Sequence, residues 1–271
     1  MKDEACIRFL QWALPRLNLR WPGFRKVRGQ VCKRIGRRLD ELNITDLKIY
    51  RTYLEDNPDE WLILDSLCRV TISRFYRDKG IYDSLSKKVF PELIQNLLHQ
   101  GENVLSCWCI GSASGEEPYT LSLLWDLSDM NTLGLNFNIL ATEIDQHMIS
   151  RAQKGCYPMS SIRELPSEMM SQAFTQKYDL FCLKRQYRTR VQFQQQDIRN
   201  ELPDSSFNLI LCRNLVFTYF SHELQSKIAP NILQRLKQNG SFVIGGHEKL
   251  PESLHGLTPW LPKQKIYRRE K

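Results

Sequence analysis

The stretch Val104–Asp126 constrains the fold of this chain more than any other segment. It consists of an apolar run, a loop with glycines at Gly111 and Gly115, and an amphipathic segment that opens with two glutamates. Pro118 falls in the first turn of that segment, where its missing N–H leaves no hydrogen bond unmade. The pattern predicts strand, turn and helix in that order, with free N–H groups of the helix start beside the loop.

The composition of this loop limits the ligands that it could hold. It contains neither the glycine fingerprint of dinucleotide sites nor that of P-loops. Glu116 and Glu117 would repel a phosphate, because all three groups are anionic. A ligand that carries an amine and a sulfonium charge, such as S-adenosylmethionine, fits better than a polyphosphate. The alternative interpretation is a tight strand-to-helix turn that binds nothing.

The chain beyond about Ser86 alternates between strand and helix patterns. The predicted strands are Val104–Ile110, Asn138–Thr142, Val191–Gln195, Asn208–Cys212 and Ser241–Gly245. The predicted helices are Glu116–Met130, Gln146–Lys154 and Glu223–Leu236. Such alternation predicts an α/β fold with a doubly wound parallel sheet and with ligands at the carboxyl ends of its strands. The stretch Tyr157–Arg190 breaks the alternation, so we predict a small inserted subdomain near 157–190.

The first part of the chain shows a helical pattern instead. Apolar side chains recur one turn apart, for example at Val31, Ile35 and Leu39. We therefore predict a helical N-terminal domain at 1–85 and a ligand-binding domain at 86–271.

The net charge of +8 is concentrated in one part of this N-terminal domain. Nine lysine or arginine residues and no acid lie between Arg16 and Arg38, a segment that we name the basic block. The block is either a solvated helix face or a docking surface for an acidic partner. Only Trp21 and Phe24 interleave it, so an acidic protein is favoured over nucleic acid as the partner.

Composition narrows the location and the chemistry further. No apolar run approaches the roughly 20 residues that span a bilayer, and the N-terminal sequence lacks the pattern of a signal peptide. The eight cysteines include no CxxC pair, and no histidine has the spacing of a metal ligand. We predict reduced structural thiols, no metal site, no membrane insertion, and a cytoplasmic monomer.

Polar side chains follow the predicted strands at the edge where a ligand would bind. Glu143 could accept both hydroxyls of a ribose, or be an exposed loop carboxylate. Asp197 could accept from an adenine amino group, or cap a helix that begins at Ile198. Arg213 and Asn214 follow a fully apolar strand, which favours a role in binding over a solvated surface.

Four motifs occur in order along the chain: RVTISRFYRD, IGSASGEEPYTLSL, ATEID and LILCRNL. In order and spacing they resemble the CheR-type chemotaxis receptor methyltransferases, and the similarity covers nearly the whole chain. The resemblance implies a class I methyltransferase with a Rossmann-like sheet, which uses S-adenosylmethionine to esterify glutamates on chemoreceptor helices. It also implies that the basic block docks the acidic receptor bundle. Arg77 and Asp78 of the first motif could alternatively form a structural ion pair.

The resemblance also implies the residues of the cofactor site. It assigns Glu143 to the ribose, Asp197 and Ile198 to the adenine, and Arg213 and Asn214 to the methionine end. Of the two glutamates in GEEPY, Glu117 rather than Glu116 is implied. The full set of implied cofactor-binding residues is Thr71, Ser73, Arg77, Gly111, Glu117, Glu143, Asp197, Ile198, Arg213 and Asn214.

The expected reaction needs few catalytic groups. A glutamate acceptor is already ionised at neutral pH, so methyl transfer depends mainly on positioning. We predict that Arg77 or Arg213 clamps one acceptor oxygen, with Tyr219 as a helper. Three departures from the family pattern lie mostly at the substrate mouth: Glu143 in place of aspartate, CRNLVFTYF, and GGHEKL at Gly245–Leu250. A small-acid acceptor, a non-catalytic cofactor-binding scaffold and an RNA substrate therefore remain open.

Overall fold

The computed structural model of the protein describes residues 3–270. The outer ends of the two predicted domains, at residues 1, 2 and 271, lie outside the described residues. The described chain packs as two compact units. The smaller unit runs as far as Val70 and includes Thr218–Gln225, and the larger unit comprises Thr71–Phe217 and the chain from Ser226 onwards.

The smaller unit is helical. Its helices are α1 (Asp3–Ala13), α2 (Trp21–Phe24), α3 (Arg28–Glu41), α4 (Leu47–Asp56) and α5 (Glu60–Leu67). In α3 the side chains of Val31, Ile35 and Leu39 are buried, because residues four apart lie on one face of a helix. The segment Thr218–Gln225 joins this unit through the Arg20 N–H, which donates to the carbonyl oxygen of Tyr219 at 2.8 Å.

Strands dominate the larger unit. They are β1 (Val104–Ile110), β2 (Asn136–Glu143), β3 (Cys156–Pro158), β4 (Phe174–Lys177), β5 (Leu180–Leu183), β6 (Val191–Gln195), β7 (Phe207–Cys212), β8 (Leu236–Ile244), β9 (Leu257–Leu261) and β10 (Ile266–Arg269). Seven of them form one sheet in the order β6-β2-β1-β7-β8-β10-β9. The first five run parallel, and β10 is antiparallel to both of its neighbours. The predicted doubly wound α/β fold is confirmed.

Helices connect and cover these strands. They are α6 (Lys79–Ser84), α7 (Phe90–His99), α8 (Glu116–Asp126), α9 (Gln146–Lys154), α10 (Met159–Ile162), α11 (Ser167–Ala173), α12 (Val216–Tyr219) and α13 (His222–Gln234). The helix α8 ends at Asp126, earlier than predicted, because Ser128 and Asp129 are weak helix formers and a 3-10 turn follows. Within residues 3–270, no helix is both long enough and apolar enough to span a bilayer.

The core of the larger unit begins well before residue 85. Phe75, Tyr82 and Leu85 are fully buried in the same cluster as the strands of the main sheet. Because these side chains pack there, the compact unit starts at Thr71, and the predicted boundary near residue 85 lies too late.

The predicted insertion contains a sheet of its own. The strands β3, β5 and β4 form it in that order, and both pairs are antiparallel. Tyr157 of β3 is buried, and its hydroxyl donates to the carbonyl oxygen of Ser114 at 2.8 Å. This contact ties the insertion to the loop between β1 and α8.

The expectation that all cysteines are reduced is wrong for four of them. Cys6 of α1 is bonded to Cys32 of α3, and Cys156 of β3 to Cys182 of β5, with the partners 26 positions apart in each pair. The fold places these partners on neighbouring elements, which the sequence spacing does not reveal. The other four cysteines are buried free thiols. The inference of a reducing compartment from the cysteine pattern therefore does not hold.

Candidate active site

The loop between β1 and α8 lies at the carboxyl ends of the parallel strands, where a doubly wound sheet binds ligands. Gly111 and Gly115 have φ angles of 70° and 88°, which only glycine adopts without strain. A Cβ atom at Gly111 would lie 2.6 Å from Leu215, and one at Gly115 would lie 2.9 Å from Ala152. The loop therefore depends on glycine at both positions for its conformation and for its close packing.

Glu143 at the end of β2 fixes the conformation of this loop. Its carboxylate accepts hydrogen bonds from the N–H groups of Ala113 at 2.9 Å and Asp145 at 3.1 Å, one on each oxygen. Ala113 itself has a positive φ of 46°. Burial raises the pKa of Glu143, although hydrogen bonds from the N–H groups of Asp145, Ala113 and Ile144 oppose that rise. A carboxylate offers about four lone-pair sites, so with three N–H donors it can still accept a ribose hydroxyl.

Arg213, which follows β7, is the buried centre of a network of charges whose outermost member, the Asp78 side chain, is 44% exposed. Its guanidinium donates to Glu117 Oε2 at 2.7 Å, Asp78 Oδ2 at 2.7 Å, the Tyr82 hydroxyl at 2.9 Å and the carbonyl oxygen of Arg77 at 3.0 Å. Only 2% of the Arg213 side chain is exposed. Burial disfavours its charge, but Tyr82, Glu117 and Asp78 together raise the pKa of the guanidinium.

This network assigns different tasks to the two candidate arginines. The hydrogen bonds of Arg213 are directed to groups of the protein itself, so its geometry suits positioning of the site. Arg77 is half-buried, and its guanidinium donates to the carbonyl oxygen of Ile72 at 3.2 Å. A guanidinium carries five N–H donors, which leaves capacity for a carboxylate ligand. The predicted role of acceptor clamp therefore suits Arg77.

The first glutamate of GEEPY faces a different set of groups. Glu116 is 1% exposed, and its Oε1 accepts from the hydroxyl of Ser114 at 2.8 Å. Burial raises its pKa, and hydrogen bonds from Ser114 and Ser73 lower it. Thr71, which precedes Ser73 by two residues, is half-buried at the start of the same segment. Two of the implied cofactor residues thus lie on a segment that reaches the helix start of α8.

Asp197 is engaged by its own turn. Its carboxylate accepts from the Arg199 N–H at 3.0 Å, from the Arg199 guanidinium at 2.9 Å and from the Asn200 amide at 3.3 Å. A turn follows at Ile198 in place of the predicted helix, and the side chain of Ile198 is buried. Asp197 thus caps a turn, whereas the alternative interpretation expected it to cap a helix. Its contact with adenine stays a prediction.

The last two predicted site residues follow β7. Asn214 has a positive φ of 56°, which amide side chains tolerate better than most. Tyr219 belongs to the smaller unit, where its ring lies 5.1 Å from the ring of Phe24 between centroids. Its role as a catalytic helper stays a prediction.

Two members of the Arg213 network carried no assigned role in the sequence analysis. Asp78 lies within RVTISRFYRD, where an acid beside an arginine indicated only a local ion pair. Tyr82, four residues further on, is fully buried, and its hydroxyl accepts a hydrogen bond from Arg213. A tyrosine at that position is indistinguishable in sequence from an ordinary core residue, so only the structure could reveal its contact.

Comparison with known proteins identifies the family. The family model "CheR methyltransferase, SAM binding domain" matches residues 71–264, which is more than half of the chain. The chain belongs to the CheR methyltransferase family. It is a methyltransferase that depends on S-adenosylmethionine.

Individual relatives agree with this assignment. A chemotaxis protein methyltransferase of Listeria monocytogenes is 30% identical over 185 residues, which cover 68% of this chain and 68% of that protein. The protein of the same name from Listeria innocua is 31% identical over 192 residues, 70% of each chain. Among solved structures, the glycopeptide N-methyltransferase MtfA with S-adenosylmethionine matches 67% of each chain at 11% identity and a TM-score of 0.35. That structural likeness is too low to carry an argument.

The residues at the sheet edge suit this cofactor. Glu116, Glu143 and Glu248 are buried there, and the Glu117 side chain is 13% exposed, whereas Arg213 is the buried cation among them. An excess of buried acid favours a ligand with positive charge. When bound, S-adenosylmethionine supplies a methyl group activated by a sulfonium charge. Glu143 would hold the ribose, and the acids at the start of α8 would face the charged end.

We expect the affinity for S-adenosylmethionine to fall at acid pH. Glu116 and Glu143 have pKa values above their ordinary value of 4.5, because both are buried. Below the raised pKa the carboxyls are neutral and attract a cation weakly, and above it they are ionised. Affinity should therefore rise as the pH increases from 4.5 through the raised pKa values, and then level off.

Calorimetric titration over this range checks the expectation, and S-adenosylhomocysteine is the matched control. This thioether has the same nucleoside and amino acid but lacks the sulfonium charge. Its affinity should change less with pH than that of S-adenosylmethionine. Equal pH profiles for the two ligands would show that the buried acids do not recognise the sulfonium.

Proposed function

We propose that the protein transfers the methyl group of S-adenosylmethionine to glutamate carboxylates on an acidic, receptor-like protein. We further propose that it acts as a monomer in the cytoplasm, where the Cys6–Cys32 and Cys156–Cys182 pairs would be kept as reduced thiols. The observation that carries the proposal is an exposed cationic face on α3 and the turn before it, described below. The similarity to chemotaxis protein methyltransferases supports the same acceptor class.

The chemistry of a carboxylate acceptor suits the site. One oxygen of the ionised glutamate attacks the methyl carbon while the carbon–sulfur bond breaks, so no proton has to be removed. Arg77 would hold the other oxygen and thereby orient the attacking one. Arg213 would keep Glu117 and Asp78 in place without contacting the acceptor. Catalysis would then depend on alignment of the two substrates, which can lower the activation barrier by roughly 7–11 kcal/mol.

Part of the basic block serves the fold of the smaller unit. Arg38 forms a salt bridge of 2.8 Å with Glu60, whose side chain is 3% exposed. Arg34 donates to the carbonyl oxygen of Leu67 at 3.1 Å and so provides a hydrogen-bond partner for a carbonyl group at the end of α5. These arginines stabilise the unit and are poor candidates for recognition of a partner.

A second part of the basic block faces outward. Arg25, Lys26, Lys33 and Arg37 are exposed, and in the part of the chain that the structure describes none of their side chains forms a hydrogen bond or salt bridge with another residue. Lys33 and Arg37 are four residues apart, so they lie on one face of α3. We name these four residues the cationic face. Its long side chains can reach the carboxylates of an acidic helix, and its charges steer such a partner towards the protein.

We expect charge reversal at Lys33 and Arg37 to weaken the binding of the acceptor and to leave the binding of the cofactor unchanged. The double variant Lys33→Glu/Arg37→Glu should raise the KM for an acidic helical acceptor about tenfold, because attractions become repulsions. The KM for S-adenosylmethionine should stay unchanged. Lys87→Glu/Lys88→Glu is the matched control, since both lysines are exposed in the larger unit and the change in charge is the same. Equal effects of the two double variants would contradict the docking role.

The nature of the acceptor group can be tested with labelled methyl. The protein is incubated with methyl-labelled S-adenosylmethionine and a recombinant cytoplasmic fragment of a chemoreceptor, and the labelled product is then treated with base. A glutamyl ester releases its label as volatile methanol. Label that remains on the protein after base would indicate methylation of nitrogen and would overturn the proposal. Label that appears only on added small acids would contradict the proposal that the acceptor is a protein.

A further inference from the structure

Glu248 forms a carboxylate clasp between the ends of β8 and β7. It lies in the loop after β8 and is 4% exposed. One oxygen, Oε2, accepts from the N–H of Gly245 at 2.6 Å and from the N–H of Asn214 at 2.9 Å. The Glu248 N–H in turn donates to the carbonyl oxygen of Gly245 at 2.9 Å. A single buried oxygen thus joins the backbones that leave two neighbouring parallel strands.

The clasp acts on the turn that carries the Arg213 network. Asn214 has a left-handed backbone, and its N–H is the group that Glu248 holds. Arg213 immediately precedes it and reaches back to Glu117 and Asp78. A displacement of the Asn214 backbone would therefore move the guanidinium away from both acids.

We propose that Glu248 is a positioning residue for methyl transfer, and that it holds the Arg213–Asn214 turn in the form that binds the cofactor. The proposal rests on the assignment of the cofactor to this edge of the sheet, and is independent of the proposed acceptor. It gives a task to the GGHEKL motif, for which the sequence analysis found none.

A purely structural role accounts poorly for an acid at this place. Burial of a carboxylate is unfavourable unless hydrogen bonds compensate it, and a neutral side chain could fill the same volume. Burial raises the pKa of the neighbouring Glu117, and the negative charge of Glu248 adds to that rise. An ionised oxygen, however, holds two N–H groups more firmly than a neutral acceptor does. Precise placement of Asn214 explains why a buried acid is present despite these costs.

Adjacent glycines provide the sharpest test. A Cβ atom at Gly245 would lie 2.8 Å from Asn214 Oδ1 and 2.8 Å from Glu248 Oε2, whereas one at Gly246 would meet nothing within 4 Å. The variant Gly245→Ala should therefore displace the clasp and raise the KM for S-adenosylmethionine about tenfold, the loss of roughly one charged hydrogen bond. The variant Gly246→Ala should match the unchanged protein. Equal KM values for the two variants would overturn the proposal.

Substitutions of Glu248 test the clasp without added bulk. Glu248→Ala removes the acceptor and should raise the KM for S-adenosylmethionine about tenfold, while Glu248→Gln keeps an acceptor oxygen and should recover part of that loss. A purely structural role would instead lower kcat in proportion to the folded fraction and leave KM unchanged. Thermal unfolding of each variant, measured in parallel, provides the folded fraction. A fall in kcat alone would therefore overturn the positioning role.

A further variant separates this inference from the site assignment. If Glu143→Ala binds S-adenosylmethionine as tightly as the unchanged protein, the cofactor does not lie at this edge and the assignment fails. If Glu143→Ala weakens binding but the Glu248 and Gly245 variants do not, the assignment holds and the clasp alone is refuted.

Discussion

Replacement of Arg213 by methionine is expected to abolish measurable binding of S-adenosylmethionine and to destabilise the larger unit strongly. The side chains of Arg213 and Glu117 are 2% and 13% exposed, so removal of the cation leaves an acid buried without its partner. Breaking a buried ion pair in this way lowers the free energy of unfolding by about 3–5 kcal/mol. Chemical denaturation and calorimetry would measure the two effects separately.

Two matched variants show whether the unpaired acid causes the loss. The double variant Arg213→Met/Glu117→Gln removes both charges and should recover much of the stability, although not the binding. Arg213→Lys keeps the charge but loses the planar set of donors that reaches Glu117, Asp78 and Tyr82 together. It should fold and bind weakly. A stable Arg213→Met protein with full affinity would show that the network does not organise the site.

Replacement of Arg77 by alanine is expected to lower kcat about 100-fold, the scale of the loss when one electrostatic contact to the transition state is removed. Affinity for S-adenosylmethionine should change much less, because the buried acids and Arg213 remain. The hydrogen bond from the Arg77 guanidinium to the carbonyl oxygen of Ile72 uses one of its N–H donors and leaves others for the acceptor carboxylate. Steady-state kinetics with labelled methyl, together with calorimetry, would separate turnover from binding.

Arg74 offers a control for this experiment on the same segment. It forms a salt bridge of 2.6 Å with Glu164, and both side chains are one-third exposed. Arg74→Ala removes an equal charge three residues away, and its kcat should stay close to that of the unchanged protein. If Arg77→Ala and Arg74→Ala behave alike, the acceptor is not clamped by Arg77.

The sequence carried enough information to predict the main sheet. β1 and β6 have the predicted bounds, because a largely apolar run and a run of alternating residues are both bordered by turn residues. β9 and β10 were missed. They are only 5 and 4 residues long and contain polar or proline residues, so their pattern does not differ from that of a loop. Pairing, rather than their own sequence, determines that they form strands, since β10 pairs with β8 and β9 pairs with β10.

For the candidate site, the sequence predicts which residues lie at the strand ends but not which contacts connect them. Strand ends are recognisable in a sequence, so Glu143, Arg213 and Asn214 could be found from their positions alone. The contact from Arg213 to Asp78 spans 135 residues, and the one from Asn214 to Glu248 spans 34. Such contacts arise only when the sheet brings distant loops to one edge. For this reason Arg213 was predicted as a possible acceptor clamp, whereas the structure engages it with acids of the protein.

The central claim is that S-adenosylmethionine lies across the carboxyl edge of the main sheet. A crystal structure of the protein with this ligand tests it most directly. We predict that the ribose hydroxyls donate to Glu143, with the methionine end beside Glu117 and the Arg213 network. A nucleoside bound elsewhere, or an edge closed by the loop after β1 with no ligand, would contradict the account.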